Sequence, residues 1–378
     1  MLTAVTATTV LLAGACSTNA TTDTNSGSNG GTSAGASPSS SSSSDSGGGG
    51  GGDLKGAKVA FLMPDEASTR YEEHDRPGYE KKIKELCPSC TVLYNNANAD
   101  ASKQQQQFNT ALTQGAKVIV LDPVDSAAAA GLVTSAHSQG VKVIAYDRPI
   151  PTTPADFYVS YDNKKIGALI SKSLVDQLKA QGVSTSKGGV LEVNGSPTDA
   201  AAGLIKDGIH EGLQGSGYKT LAEYDTPDWA PPKAQSWVSG QVSRFGDQIN
   251  GVVAANDGTA GGTIAAFKAA GRNPVPPVTG NDATIAGLQL ILSGDQYNTI
   301  SKPSEVVAGA AAEVSVDFLK GNAPKSEAML FKTPSRLFTP VVITQKNIKA
   351  EIIDKDIATA KQLCTGEYAA ACTKLSIS

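Results

Sequence analysis

The chain has 378 residues, a formal net charge of −4, 18% charged residues and 5% aromatic ones. That length exceeds one ordinary small domain and suits two lobes with additions. The balance excludes the basic footprint that nucleic-acid binding needs, and no G-x-x-x-x-G-K-[ST] phosphate loop occurs in the sequence.

Residues 2–15 are mostly small and apolar and end in Leu12-Ala13-Gly14-Ala15-Cys16. A short apolar run closing on small residues reads as a signal-peptide core with its cleavage site, too short to remain as a spanning helix. Small residues directly before a cysteine resemble the lipobox of bacterial lipoproteins. Residues 1–16 are therefore expected to be a signal segment and Cys16 to be lipidated, although the leucine sits one place further upstream than usual. The alternative is a general secretion signal cut elsewhere, with Cys16 unmodified. The first Lys or Arg is Lys55, so no basic segment precedes the apolar run, as expected if translation starts further upstream. Residues 17–54 are dominated by Ser, Thr, Gly, Asn and Asp and include six consecutive glycines, Gly47 to Gly52. Such a segment buries too little apolar surface to repay ordering and reads as a flexible tether.

From Lys58 onward, short apolar, β-branched runs alternate with amphipathic stretches. Strands are predicted at Val59–Met63, Thr91–Tyr94, Val118–Leu121, Val141–Tyr146, Phe157–Tyr161, Val190–Val193, Thr220–Tyr224, Val252–Ala255, Val278–Gly280, Thr299–Ser301 and Val341–Thr344. Helices are predicted at Pro77–Leu86, Ser102–Gln114, Ser126–Gln139, Lys164–Gln181, Ala200–Leu213, Ala234–Arg244, Thr259–Ala270 and Ser304–Leu319. This alternation implies an α/β fold with parallel sheets covered on both faces. About ten strands is many for one twisted sheet, so two doubly wound, Rossmann-like lobes are expected.

In such lobes the ligand site forms at the carboxyl ends of the strands. The residues that follow the apolar runs are rich in charge and amide groups: Asp65-Glu66 and Arg70-Tyr71, Asp122, Asp147-Arg148, Ser196-Pro197-Thr198-Asp199, Asp228-Trp229, Asn256-Asp257, Asn281-Asp282 and Lys302. Carboxylates accept from hydroxyls, Arg and Lys donate, amides do both, and an aromatic ring covers a sugar's C–H face. Taken singly, several have plainer readings. Arg70 and Lys302 could be solvated charges and Trp229 ordinary core. Asp147 and Arg148 could pair with each other. Asn256-Asp257 could cap the following helix, with Asp257 ordering the loop and Asn256 facing ligand.

The three histidines, His74, His137 and His210, show no HxxxH or HExxH spacing, so no metal site is expected. Cys87 and Cys90, and Cys364 and Cys372, are candidates for two local disulfides in an oxidising compartment. A redox C-P-S-C is the rival reading. It is disfavoured because Cys87 ends a predicted helix and so gains no helix N-terminus. A four-cysteine zinc site is a further alternative.

Six segments taken in order, Val-Ile-Ala-Tyr-Asp-Arg-Pro (143–149), Phe-Tyr-Val-Ser-Tyr-Asp-Asn (157–163), Gly-Ser-Pro-Thr-Asp (195–199), Ala-Asn-Asp-Gly-Thr-Ala-Gly-Gly (255–262), Thr-Gly-Asn-Asp-Ala (279–283) and Ser-Lys-Pro (301–303), resemble the D-xylose-binding branch of the type I periplasmic sugar-binding proteins. The resemblance runs through about residues 57–330. It implies two lobes joined by a three-strand hinge near Tyr161–Asp162, Asp282–Thr284 and Phe331–Thr333. The first lobe would comprise 55–161 with 284–331, and the second 162–283 with 332–378. It implies a monosaccharide ligand held by Arg70 and Arg148 from the first lobe, by Asp199, Trp229, Asn256 and Asp282 from the second lobe and hinge, and by Lys302, with Tyr71 as a second aromatic face. It implies no cofactor and no metal, a monomeric receptor attached to the membrane through a lipid anchor, and the permease of an ABC importer as partner. One departure stands out. Close xylose binders have Asn-Asn after the Asp of the Ser-Pro-x-Asp motif, and this chain has Ala200-Ala201.

Other functions fit less well. A sensor presenting its closed form to a membrane signalling protein has the same sequence signature. A sugar-processing enzyme could use Asp199 and Asp282 as a carboxylate pair, but Arg and Asn partners are expected to keep both as ionised acceptors. Transcriptional repressors share the two-lobe core but carry an N-terminal helix-turn-helix.

Overall fold

The computed structural model of the chain describes residues 54–377, the side chains of residues 304 and 305 excepted. The expected signal segment with Cys16, and the tether up to residue 53, lie outside the described residues. Leu54, read from the sequence as the last residue of the tether, packs against the first-lobe core.

The first lobe is built on a seven-stranded sheet of order β10-β11-β5-β4-β3-β1-β2. Its strands are β1 (Lys58–Met63), β2 (Thr91–Asn96), β3 (Ala116–Leu121), β4 (Lys142–Tyr146), β5 (Phe157–Tyr161), β10 (Ala328–Leu330) and β11 (Thr333–Phe338). All neighbours are parallel except β10 with β11. In β1 every residue after Lys58 is buried, as a central parallel strand covered on both faces requires. Successive side chains alternate faces. Val59, Phe61 and Met63 pack toward α1 (Arg76–Leu86) and α9 (Ser304–Leu319). Ala60 and Leu62 pack toward α2 (Ala101–Thr113) and α3 (Ala129–Ser138).

The second lobe has a three-stranded parallel sheet of order β7-β6-β8, made of β6 (Gly189–Asn194), β7 (Lys219–Asp225) and β8 (Ile249–Ala254). The strand predicted at Val278–Gly280 reduces to a single bridge between Val252 and Val278. Helices α4 (Asn163–Ala180) and α5 (Ala200–Leu213) cover one face, and α6 (Pro231–Phe245) and α7 (Asp257–Ala269) the other. α4 and α5 approach closely because glycines line their contact: a Cβ on Gly208 would stand 1.9 Å from the Lys164 carbonyl oxygen. A third cluster joins α8 (Ile285–Ser293), β12 (Val341–Ile343), α10 (Ala360–Leu363) and α11 (Ala369–Lys374). Among the described residues two disulfides are present, Cys87–Cys90 after α1 and Cys364–Cys372, which ties the end of α10 to α11. Among the described residues no helix is long and apolar enough to cross a membrane.

The chain passes between the lobes three times, and two crossings lie elsewhere than expected. The first follows Tyr161 into α4. The second is not at Asp282–Thr284: α8 packs with α7, α10 and α11, and the chain turns back only after β9 (Thr299–Ser301). The third is not at Phe331–Thr333: Ser335 to Phe338 pair with Tyr158 to Tyr161 of β5, so the crossing follows Phe338. The physical reason is pairing. The outermost parallel strand of the first sheet needs a hydrogen-bonding neighbour, and β11 supplies it. The crossings run side by side, with Asp162 N donating to Phe338 O at 3.0 Å and β12 pairing antiparallel with β9.

Candidate functional site

The strand ends of the two lobes face one another across a narrow, polar cleft. Its wall includes all eight residues singled out from the sequence: Arg70, Tyr71, Arg148, Asp199, Trp229, Asn256, Asp282 and Lys302. Ser68, Asp147, Asn163, Ala201, Ile205 and Asn281 complete it. Several of these side chains also cap helices. Asp199 ends the loop after β6 and caps α5, accepting from Ala201 N at 2.7 Å. Asn256 follows β8 and caps α7 in a reciprocal box with Thr259. Asn256 lines the cleft as the sequence suggested, and it also supplies the cap that the sequence reading offered to Asp257. Asn256 does the capping, and Asp257 turns inward to accept from Thr284 N and Oγ1, Gln296 Nε2 and Thr299 Oγ1. Glycines crowd that carboxylate: a Cβ on Gly287 would fall 2.2 Å from Asp257 Oδ2.

On the first-lobe side, buried Arg70 donates to Asp75 Oδ2 at 2.7 Å, reaches Asp147 Oδ2 at 2.6 Å and comes within 3.5 Å of Asp282 Oδ1. Its guanidinium lies 4.5 Å from the centre of the Tyr71 ring, and Tyr71 Oη donates to Asp147 Oδ2 at 2.9 Å. Lys302 donates to Asp282 Oδ1 at 3.0 Å. Arg148 bonds Asp65, and its Nε lies 3.5 Å from Asp122 Oδ1 and 3.2 Å from Asp199 Oδ2 of the opposite lobe. Asp147 and Arg148 therefore part company: the first serves Arg70, Tyr71 and Lys302, the second spans the cleft. Trp229 Nε1 donates to Asp199 Oδ2 at 3.0 Å, and its ring edge would meet a Cβ on Gly195 at 2.1 Å. Gly195 is thus required by the ring's close approach.

Backbone strain gathers here. Trp229 at φ 55°, Asp147 at φ 54° and Asp282 at φ 106° sit in the left-handed region, which bulky residues seldom adopt. Such outliers cluster where the surroundings over-determine the geometry.

Burial drives the electrostatics. It opposes the charge on Asp147, but Arg70, Lys302 and Arg148 outweigh it and hold that carboxyl below the usual range. Burial raises the Asp199 carboxyl despite Arg148, the reverse of the sequence expectation that its partners would dominate. Burial and the nearby Asp282 push Asp257 up to about 7, against four donated hydrogen bonds. Arg70 Nη2 and Arg148 Nε are met by the carboxylates of Asp147 and Asp199, while Asn281 Oδ1 is buried without a hydrogen-bond partner, leaving an acceptor for something in the cleft. Asn163 and Asn281 lie inside quoted motifs, and Asp147 was read only against its neighbour. Each could have been found by asking what the other strand ends bring to the same place.

The lobes also touch directly. Ser126 N donates to Thr198 O at 3.0 Å, Thr198 Oγ1 to Val124 O at 3.2 Å, and Ala200 N to Ser126 Oγ at 3.1 Å. Loop 124–126 and loop 198–200 thus close one side of the cleft.

Two parallel-sheet lobes, three side-by-side crossings and a polar cleft at the strand ends define the class. The periplasmic binding protein domain matches residues 59–323, and the chain belongs to that family, with the type I fold. The D-xylose-binding periplasmic protein of Escherichia coli is 33% identical over 79% of this chain and 90% of its own length. The protein of the same description from Haemophilus influenzae is 29% identical over 82% of this chain and 92% of its own. Among solved structures, an ABC transporter solute-binding protein from Clostridium phytofermentans with bound β-D-glucose is similar at TM-score 0.73 and 25% identity, over 81% of this chain and 99% of that one.

Proposed function

We propose that this protein is the extracytoplasmic receptor of an ABC importer and that it holds an uncharged monosaccharide, a xylose-like pentose or a hexose, between its lobes. The carrying observation is the pairing of the charges. Each cation of the cleft wall, Arg70, Arg148 and Lys302, already faces a buried carboxylate. No net positive charge is left for an anion, while donors, acceptors and two aromatic side chains remain. That is the chemistry of a polyhydroxylated ring. In this reading Arg70, Arg148 and Lys302 donate to ring hydroxyls, Asp199 and Asp282 accept, and Asn256 does both. Trp229 and Tyr71 cover the C–H faces. The relatives' description favours xylose. Ala201, which lines the cleft, presents a methyl where close xylose binders carry an amide, which would relax selectivity.

Ligand-linked closure of the lobes would create the surface that the permease recognises. Cys16 is the proposed lipid attachment point, the receptor acting as a monomer on the outer face of the membrane. Buried Asp199 and Asp282 are held by Arg148, Trp229, Arg70 and Lys302, which orients them as acceptors; the relatives are binding proteins, and the protein is not an enzyme. A thermal-shift screen of xylose, ribose, arabinose, glucose, galactose and their epimers tests the reading, because a ligand of the folded state raises the melting temperature by mass action. A selective rise with one aldose is expected. No rise with any monosaccharide would reject it.

A further inference from the structure

Away from the cleft, the second-lobe sheet carries a charge arrangement that sugar binding does not use. In the β6–β7 ladder Glu192 stands directly beside Glu223. Like charges at neighbouring ladder positions repel, and Glu192 is almost fully buried, with side-chain exposure of 1%. Above them on α5, His210 Nε2 lies 3.1 Å from Glu192 Oε2 and 3.3 Å from Glu223 Oε2. One imidazole nitrogen carries at most one proton and so satisfies one of these oxygens. Glu192 Oε2 is a buried atom without a hydrogen-bond partner.

We propose that Glu192, His210 and Glu223 form a binding site for a divalent metal ion of the zinc type. The three ligand atoms lie within 4.8 Å of one another. Two ligand atoms about 2.0–2.1 Å from one tetrahedral zinc stand roughly 3.3 Å apart, which the two measured separations match. The ion would reconcile the paired glutamates and satisfy the orphaned oxygen. The outer oxygens are already held: Thr220 Oγ1 donates to Glu192 Oε1, and Lys206 Nζ and Asn194 Nδ2 approach Glu223 Oε1. Outer partners of this kind orient metal ligands and leave the inner oxygens free. Lys206 also bonds Asp225, so its charge is shared and does not fill the site. His210 is half exposed and opens onto a surface cleft with Tyr218 and Thr220, which admits an ion and leaves a fourth position to water. The imidazole favours zinc-like ions over calcium or magnesium.

The test is calorimetric titration of Zn²⁺ into the chelator-stripped, tag-free full chain, alongside His210→Gln and Glu192→Gln, with folding checked by circular dichroism. One Zn²⁺ per chain is expected. Each substitution should weaken it by at least about tenfold, the scale of losing even an outer partner, while sugar binding is unchanged. Should Glu192→Gln fail to fold, Glu223→Gln at a more exposed position replaces it. Absence of Zn²⁺ binding, or equal binding by wild type and variants, would overturn the proposal.

Discussion

Trp229 stands in a left-handed conformation with its ring against Gly195 and its indole N–H on Asp199, at the edge of the buried core and in the cleft wall. Trp229→Ala is expected to weaken sugar binding by about 1–3 kcal/mol, the scale of a lost aromatic face and its buried area. Titration calorimetry checks it, and unchanged affinity would remove Trp229 from the site. Asp282 behaves differently. It is buried between Lys302 and Arg70, so Asp282→Ala should abolish tight binding and also cost about 3–5 kcal/mol of stability by leaving buried cations uncompensated. Asp282→Asn should bind as poorly but keep more of the stability, as urea unfolding would show. At this scale the sequence was informative, because polar residues that follow apolar runs all reach the strand ends of the two lobes. Partner choice was not legible. Residues 70, 147 and 302 meet only in the fold, so adjacency in sequence wrongly suggested Asp147 with Arg148. The Glu192–Glu223 pairing depends on ladder register and was equally hidden.

The strands were readable as elements because buried parallel strands leave continuous apolar runs, as in Val59–Met63 and Val118–Leu121. Helix α8 was missed for the converse reason: Ile-Ala-Gly-Leu-Gln-Leu-Ile-Leu is apolar on most sides, and periodicity cannot separate such a run from a loop or strand. Strand β11 was missed because Pro334, Ser335 and Arg336 interrupt its apolar character, and its two neighbours in the sheet supply the order instead. The hinge boundaries moved with these two elements. Helix pair α4–α5 depends on backbone proximity, and Gly208→Ala should overpack it, costing about 1–3 kcal/mol or more. Chemical denaturation reads that loss, with sugar affinity unchanged in the fraction that remains folded. A neutral Gly208→Ala would mean that the helices do not meet as closely as described.

For the whole molecule, Asp257 links the second lobe, the return from Asp282 and the cleft. Its carboxyl is raised to about 7 in the folded chain, against about 4 when unfolded. Between those values the folded state holds the extra proton, so stability should fall as pH rises from about 4 to about 7 and level off above. Asp257→Asn should flatten that part of the profile, measured as melting temperature against pH, and an unchanged slope would assign it elsewhere. The lobes themselves meet through Arg148 with Asp199 and through the 124–126 and 198–200 loops, so closure has its own contacts to which a ligand adds. The most direct measurement is a crystal structure of the protein grown with D-xylose or with the sugar selected by thermal shift. The account predicts one sugar ring between Tyr71 and Trp229, within hydrogen-bonding distance of Arg70, Arg148, Asp199, Asp282 and Lys302. A saturating sugar bound outside this cleft, or a cleft that holds none, would contradict it.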